Sequence, residues 1–221
     1  MRGVSGKVKT ENENDGDHGD ARRDRWSAHR AIRKAEFVDA ALRVLAVGGP
    51  DFLMDDVAAA AGVTKPILYR YFADKSALVA ALGERATELL FARLLPILDT
   101  DVVAEKRIYA AVEAYFSILD EFPNLYWLLA RRSAGKISDP DPVHDDRELI
   151  ASTLSRVLGD VLRDKAMDAG GAEPWAYGIV GLVQGTGEWW LRRRSMSKAN
   201  VVAYVTQLIW AAAAAMERDN R

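Results

Sequence analysis

The stretch MDDVAAAAGVTKPILYRYFADK, Met54 to Lys75, decides how this chain folds. Gly62-Val63 splits it in two, because glycine takes the positive φ of a sharp turn without a Cβ clash. Before the turn, Val57, Ala58 and Ala61 make a small apolar face on a helix expected from about Asp55 to Ala61. After it, Thr64 stands as N-cap of another helix, with Pro66 in the first turn, where a missing N–H is harmless. That helix carries Ile67, Leu68, Tyr69, Arg70 and Tyr71, is expected to end near Phe72, and is too polar and aromatic on one face for plain core. Two short helices at a fixed angle form a helix-turn-helix, whose second helix enters the DNA major groove.

Upstream, Ile32, Phe37, Ala40, Ala41, Val44 and Leu45 recur mostly every three or four residues, which predicts an amphipathic helix from about Ala28 to Val47. Gly48-Gly49-Pro50 stops it. Downstream, Asp74 is expected to cap a long helix from Lys75 to about Leu98, bent near its end by Pro96. Beyond Asp99-Thr100-Asp101 the spacing predicts helices over about 102–120, 123–132, 142–168, 174–193 and 197–217. No segment shows strand periodicity, so the fold class is all-α: an N-terminal three-helix DNA-binding domain and a C-terminal helical bundle. The expected divisions are 1–26 as a polar tail, 27–75 as the head and 76–221 as the bundle.

The tail, with ENENDGDHGDARRDR in its second half, holds too few apolar groups to offset its ordering entropy and is expected to be disordered. Arg22, Arg23 and Arg25, followed by Arg30, Arg33 and Lys34, make a basic approach to the first helix. They read either as a solvated face or as a phosphate-contacting arm. The loop KISDPDP, Lys136 to Pro142, is turn-rich and expected to be mobile.

The run from Gly62 to Lys75 closely resembles the DNA-binding signature of TetR/AcrR-type transcriptional regulators, G-V-S/T-x-x-x-L/I-Y-x-H/Y-F-x-S/D-K. The match reaches back through Asp56-Val57-Ala58 and the Gly-Gly break, covering roughly Arg30 to Leu82. One departure stands out. The family usually carries Thr near the start of the second helix, as cap and phosphate contact, where this chain has Leu53-Met54 with Asp55 as the expected cap.

Physical roles follow for the head. Thr64 is expected to cap the recognition helix and offer its hydroxyl to a phosphate. Lys65, Pro66 and Arg70 are expected at base edges, the cations on guanine and the proline on a thymine methyl. By the resemblance, Tyr69 and Tyr71 lie against the DNA backbone and Lys75 pairs with a phosphate. Each has a plainer alternative: Tyr69 as a core-edge residue, Arg70 as a solvated charge, Lys75 as a partner of Asp74. Val57, Ala61, Val63, Leu68 and Phe72 read as the small core holding the helices together.

The formal net charge is −2, so DNA contact must come from a local basic patch and not from the chain as a whole. There is no cysteine, which removes disulfides and thiolate chemistry. His18, His29 and His144 are scattered, and no nucleophile motif appears, so no catalytic residue, metal or cofactor is expected. Asp139, Asp141, Asp145 and Asp146 read as a solvated loop. No secretory signal opens the chain, and the longest apolar runs are broken by Gln184, Glu188 and Gln207, so a cytoplasmic protein without a membrane span is expected.

The resemblance implies that the C-terminal helices bind a ligand and dimerise. Glycines inside a helix cost stability, and Gly178, Gly181, Gly185 and Gly187 make sense where another backbone approaches. With the Ala211–Ala215 run they resemble the helix pair that builds the family's intersubunit four-helix bundle, which implies Gly181, Gly185, Trp189, Val205 and Ala212 as interface residues. Close packing within one subunit is the alternative. Aromatics cluster at Tyr109, Tyr115, Phe116, Phe122, Tyr126 and Trp127 and again from Trp175 to Trp190, so Tyr109, Phe116, Tyr126 and Trp127 are expected around an apolar cavity, with Gln184 and Glu188 as polar anchors. Plain core is the alternative for each aromatic.

The functional expectation is a ligand-responsive repressor that binds a pseudo-palindromic double-stranded operator as a homodimer and is released by a small lipophilic effector. Two rivals remain: an architectural or recruitment protein that binds DNA without an effector, and a helical lipid- or drug-binding protein whose head has lost DNA binding.

Overall fold

The computed structural model describes the backbone of residues 17–98, 103–133 and 142–219, and the side chains of residues 26–97, 103–130 and 147–215. The disorder expected for residues 1–16 and the loop expected at 136–141 lie outside the described residues. The described elements are all helices: α1 Asp17–Gly48, α2 Met54–Ala60, α3 Lys65–Tyr69, α4 Lys75–Leu98, α5 Ala104–Glu121, α6 Pro123–Ser133, α7 Pro142–Asp164, α8 Ala172–Arg193 and α9 Lys198–Asp219.

Three helix ends differ from expectation. The first helix starts at Asp17 and not near Ala28, so residues 17–26 are helical and not a disordered tail. After Gly19 that segment has no glycine or proline, and Ala21, Arg22, Arg23 and Arg25 favour helix by propensity. The recognition helix α3 is only five residues long, with Arg70 as its C-cap. α7 stops at Asp164, four residues early, because Ala166 takes φ 55° and the chain closes with Met167 N–H on the Leu162 carbonyl at 2.8 Å and Ala166 N–H on Arg163 at 2.9 Å. Those two bonds form a Schellman motif that satisfies the last carbonyls.

Two cores organise the molecule. The first joins Phe37, Ala41 and Leu45 of α1 with Phe52, Val57, Leu68 and Phe72 of the helix-turn-helix, and runs on into Leu78 and Leu82 of α4 and Leu125 and Leu128 of α6. The head's core therefore continues past residue 75, the expected boundary. Asn124 fixes the same junction by donating from Nδ2 to the Leu45 carbonyl at 3.0 Å. The second core packs Val112, Phe116 and Leu119 of α5 against Trp190 and Leu191 of α8 and Val201, Val202, Val205 and Ile209 of α9. Gly187 allows that approach, since a Cβ there would stand 2.6 Å from Leu119 Cδ1 and 2.9 Å from Tyr115 Cε1. No helix among the described residues is long and apolar enough to cross a membrane.

Candidate nucleic-acid interface and interior cavities

The turn between α2 and α3 is built on Gly62 at φ 67°. α2 begins without a side-chain cap from Leu53, and the Asp56 carboxylate accepts the Leu53 N–H at 2.9 Å. Asp56 thus does the work expected of Asp55. Asp55 instead pairs with Lys65 across the turn, carboxylate to ammonium 3.0 Å apart, and this hydrogen bond holds the Lys65 pKa above its ordinary value. Sequence reasoning missed the pair because its members lie ten residues apart on two helices.

Thr64 occupies the N-cap position of α3 with an extended backbone, but its hydroxyl makes no capping bond; the capping expectation is corrected and the side chain is exposed. Lys65, Pro66, Tyr69 and Arg70 are exposed beside it, while Leu68 is fully buried, so α3 has one anchored and one open face. Tyr71 is packed on one side. It is half-buried, its ring meets Phe37 edge-on at 4.9 Å, and Arg30 lies 5.6 Å over it while donating to the Arg70 carbonyl at 3.2 Å. Lys75 also turns inward, donating to the Phe52 carbonyl at 2.5 Å and standing 4.3 Å over the Phe52 ring. Asp74 instead accepts the Ala77 N–H at 2.7 Å, capping α4 as expected, while a carbonyl and an aromatic face take the Lys75 ammonium.

Residues 26–75 hold seven Lys and Arg (30, 33, 34, 43, 65, 70, 75) against six Asp and Glu (36, 39, 51, 55, 56, 74). The head is close to neutral, and its long-range field is weak.

In the C-terminal half, α4, α5, α7, α8 and α9 line an apolar cavity of about 520 Å³ that is partly open to solvent. Leu94, Ile108, Leu154, Val157, Trp175 and Val183 are among its walls, and among the described residues no charged side chain borders it. A second cavity of about 450 Å³ lies between α4, α5, α6, α7 and α8 and is bordered by Arg147, Tyr126, Gln184 and Glu188. Here the Tyr126 hydroxyl donates to Glu188 at 3.1 Å, and Arg147 Nε donates to Gln184 Oε1 at 2.6 Å. Burial and the neighbouring Glu188 carboxylate push the Tyr126 phenol up to about 12. Burial raises the Tyr115 phenol as well.

Of the six expected cavity residues, Tyr126, Gln184 and Glu188 border a cavity. Phe116 is fully buried in the second core against Trp190, and Tyr109 is exposed and borders neither cavity. Trp127 packs edge-on to Tyr126 at 5.1 Å, beneath Arg192, and also lies outside both linings. The aliphatic walls are not legible in the sequence, because the aliphatic periodicity of α4 and α7 fits plain core equally well.

The α8 and α9 faces turned away from this core are exposed and apolar, with Tyr177, Trp189, Tyr204 and Leu208 all at 38 % exposure or more. Gly178, Gly181 and Gly185 have nothing within 4 Å of a Cβ built on them. Gly181, Gly185, Trp189 and Ala212 are exposed as well, and Ala212, like Leu208, also borders the apolar cavity. Val205 is buried: it is 4 % exposed and packed in the second core, because it falls in the inward row of α9 with Val201, Val202 and Ile209.

A family model described as "Bacterial regulatory proteins, tetR family" matches residues 37–82, and one described as "Tetracyclin repressor-like, C-terminal domain" matches residues 93–221. The chain is 33% identical over 195 residues to an uncharacterised HTH-type transcriptional regulator of Mycobacterium tuberculosis, covering 87% of this chain and 82% of that one. It is 27% identical over 158 residues to the HTH-type transcriptional activator FasR of Mycolicibacterium smegmatis, covering 71% of each. Among solved structures, the transcriptional regulator FadR of Bacillus subtilis in complex with stearoyl-CoA is similar with a TM-score of 0.64 at 18% identity, over 79% of this chain and 96% of that one, which shows a shared fold.

Proposed function

The chain belongs to the TetR family of bacterial transcriptional regulators, and from that premise we propose that it is a ligand-responsive repressor acting as a homodimer on a pseudo-palindromic operator. Thr64, Lys65, Pro66, Tyr69 and Arg70 would face the major groove, with α8 and α9 of two copies packed together to set the spacing of the heads. The exposed Gly181, Gly185, Trp189 and Ala212 support that pairing, since small residues let two helices approach closely.

The observation that carries the ligand reading is the uncharged cavity of about 520 Å³, a size that suits a small apolar molecule. FadR was solved with stearoyl-CoA, which favours an effector with an acyl chain. A route to the head is present in α6. That helix borders the second cavity through Leu125, Tyr126 and Leu129, and it contributes Leu125 and Leu128 to the head's core. A ligand that fits one arrangement of α6 better than another would shift the heads between spacings, by its differential affinity for the two states.

The test is operator affinity measured with and without straight-chain lipids and apolar drugs. Loss of tenfold or more with one class supports the switch. Unchanged affinity across the whole panel overturns it and favours the effector-independent DNA-binding reading.

A further inference from the structure

The two cavities adjoin. Leu90, Tyr115, Ile150 and Gln184 border both, so a chain lying in the apolar cavity has its polar end delivered beside Gln184. What waits there is a cation. Arg147 on α7 holds the Gln184 side chain at 2.6 Å and makes up the rim of the second cavity. The acid of that cavity, Glu188, is already engaged: the Tyr126 hydroxyl donates to one carboxylate oxygen, and Arg192 pairs with the other at 2.6 Å. Among the described residues, Arg147, Glu188 and Arg192 together leave one net positive charge at the polar end of the space.

We propose that the adjoining cavities bind a single-chain amphiphile with a carboxylate head, its tail in the apolar cavity and its head on Arg147. This rests on the effector reading above and narrows it to one chemical class. The ligand carboxylate takes the place of the Gln184 oxygen on the guanidinium, a charge-assisted and bidentate exchange for a neutral amide contact. Gln184, once released, turns its amide N–H toward the same carboxylate. An alcohol of equal length fills the same apolar volume but gains no such exchange, and a quaternary ammonium is repelled.

The experiment is calorimetric titration of the full chain with hexadecanoate, hexadecan-1-ol and hexadecyltrimethylammonium, each below its micelle concentration. Wild-type protein is expected to bind the acid at least tenfold tighter than the alcohol and the ammonium weakest. Arg147→Ala, a change at an exposed position, should erase the preference for the acid while leaving the alcohol within about twofold. Val157→Trp, which fills the apolar cavity, should weaken acid and alcohol together. Equal binding of acid and alcohol, or an acid preference that survives Arg147→Ala, overturns the carboxylate assignment while the apolar cavity reading stands. Failure of all three probes to bind overturns both.

Discussion

The Lys65 ammonium lies 3.0 Å from the Asp55 carboxylate, a contact that crosses the Gly62 turn and joins the first turns of α2 and α3. An acid is therefore held on the surface offered to a polyanion, and one of the few outward cations of the head is neutralised by its own neighbour. Asp55→Asn is expected to release Lys65. Affinity for any duplex should rise several-fold, the salt slope should steepen by about one, and discrimination between operator and unrelated DNA should shrink. Fluorescence anisotropy over a salt series reads all three; an unchanged slope would mean that Lys65 does not reach a phosphate when released. Both side chains are half-exposed, so the fold should barely register the change.

Lys75 is predicted to act on stability and not on phosphate. Lys75→Met leaves the Phe52 carbonyl without its charged donor and should lower unfolding free energy by about 1–2 kcal/mol in urea denaturation. DNA affinity below the transition should stay within a few-fold. A stable variant with a large loss of DNA binding would return Lys75 to the phosphate role expected from the family pattern.

Glycine substitutions separate backbone strain, packing and the exposed face. Gly62→Ala should cost about 1 kcal/mol although the space beside it is open, because φ 67° disfavours any Cβ. Gly187→Ala should cost about 1–3 kcal/mol by overpacking against Leu119 and Tyr115. Gly181→Ala meets nothing within one chain and gains helix propensity, so the isolated subunit should be as stable or more so. Sedimentation equilibrium is expected to show its dimer weakened, and an unaltered dimer would move the interface elsewhere.

Glu113 gives a pH dependence whose sign follows from its partners. The Ser117 hydroxyl donates to it at 2.7 Å and the Lys198 ammonium stands 3.3 Å away, so its carboxyl is held below the ordinary range. A carboxyl depressed in the folded state adds stability above its unfolded pKa, and that stability is lost as pH falls through the folded value. Glu113→Gln should therefore cost stability at pH 7, and the gap from wild type should close below about pH 4. The side chain is 42 % exposed, so solvent screening keeps the effect to about half a kcal/mol. A gap that widens with acid would contradict the assigned direction.

The trihelical head was readable in the sequence because its signals are local: a glycine with the φ a turn needs, a proline in a first turn, and an apolar row at helical spacing. The inward turn of Lys75 was not, since its partner is a backbone carbonyl 23 residues away, and carbonyls have no letter in a sequence. The cavity shows the same limit. Tyr115 and Phe116 are neighbours about 100° apart around α5, and both satisfy an apolar pattern. One borders the cavities and the other fills the core beside Trp190, a choice made by the roll of α5 against α8 and α9. For the same reason Val205 was placed on the outer face of α9 when the small-residue content of the helix was legible but its rotation was not.

A regulator of this design requires the open face of α3 to meet DNA. A footprint of the full chain on its own upstream region, in parallel with Arg70→Ala, asks this directly. The prediction is salt-dependent protection of two half-sites about one helical turn apart, with the base preference at one position of each relaxed in the variant. Uniform protection of unrelated sequences, or none at any protein concentration, would contradict it.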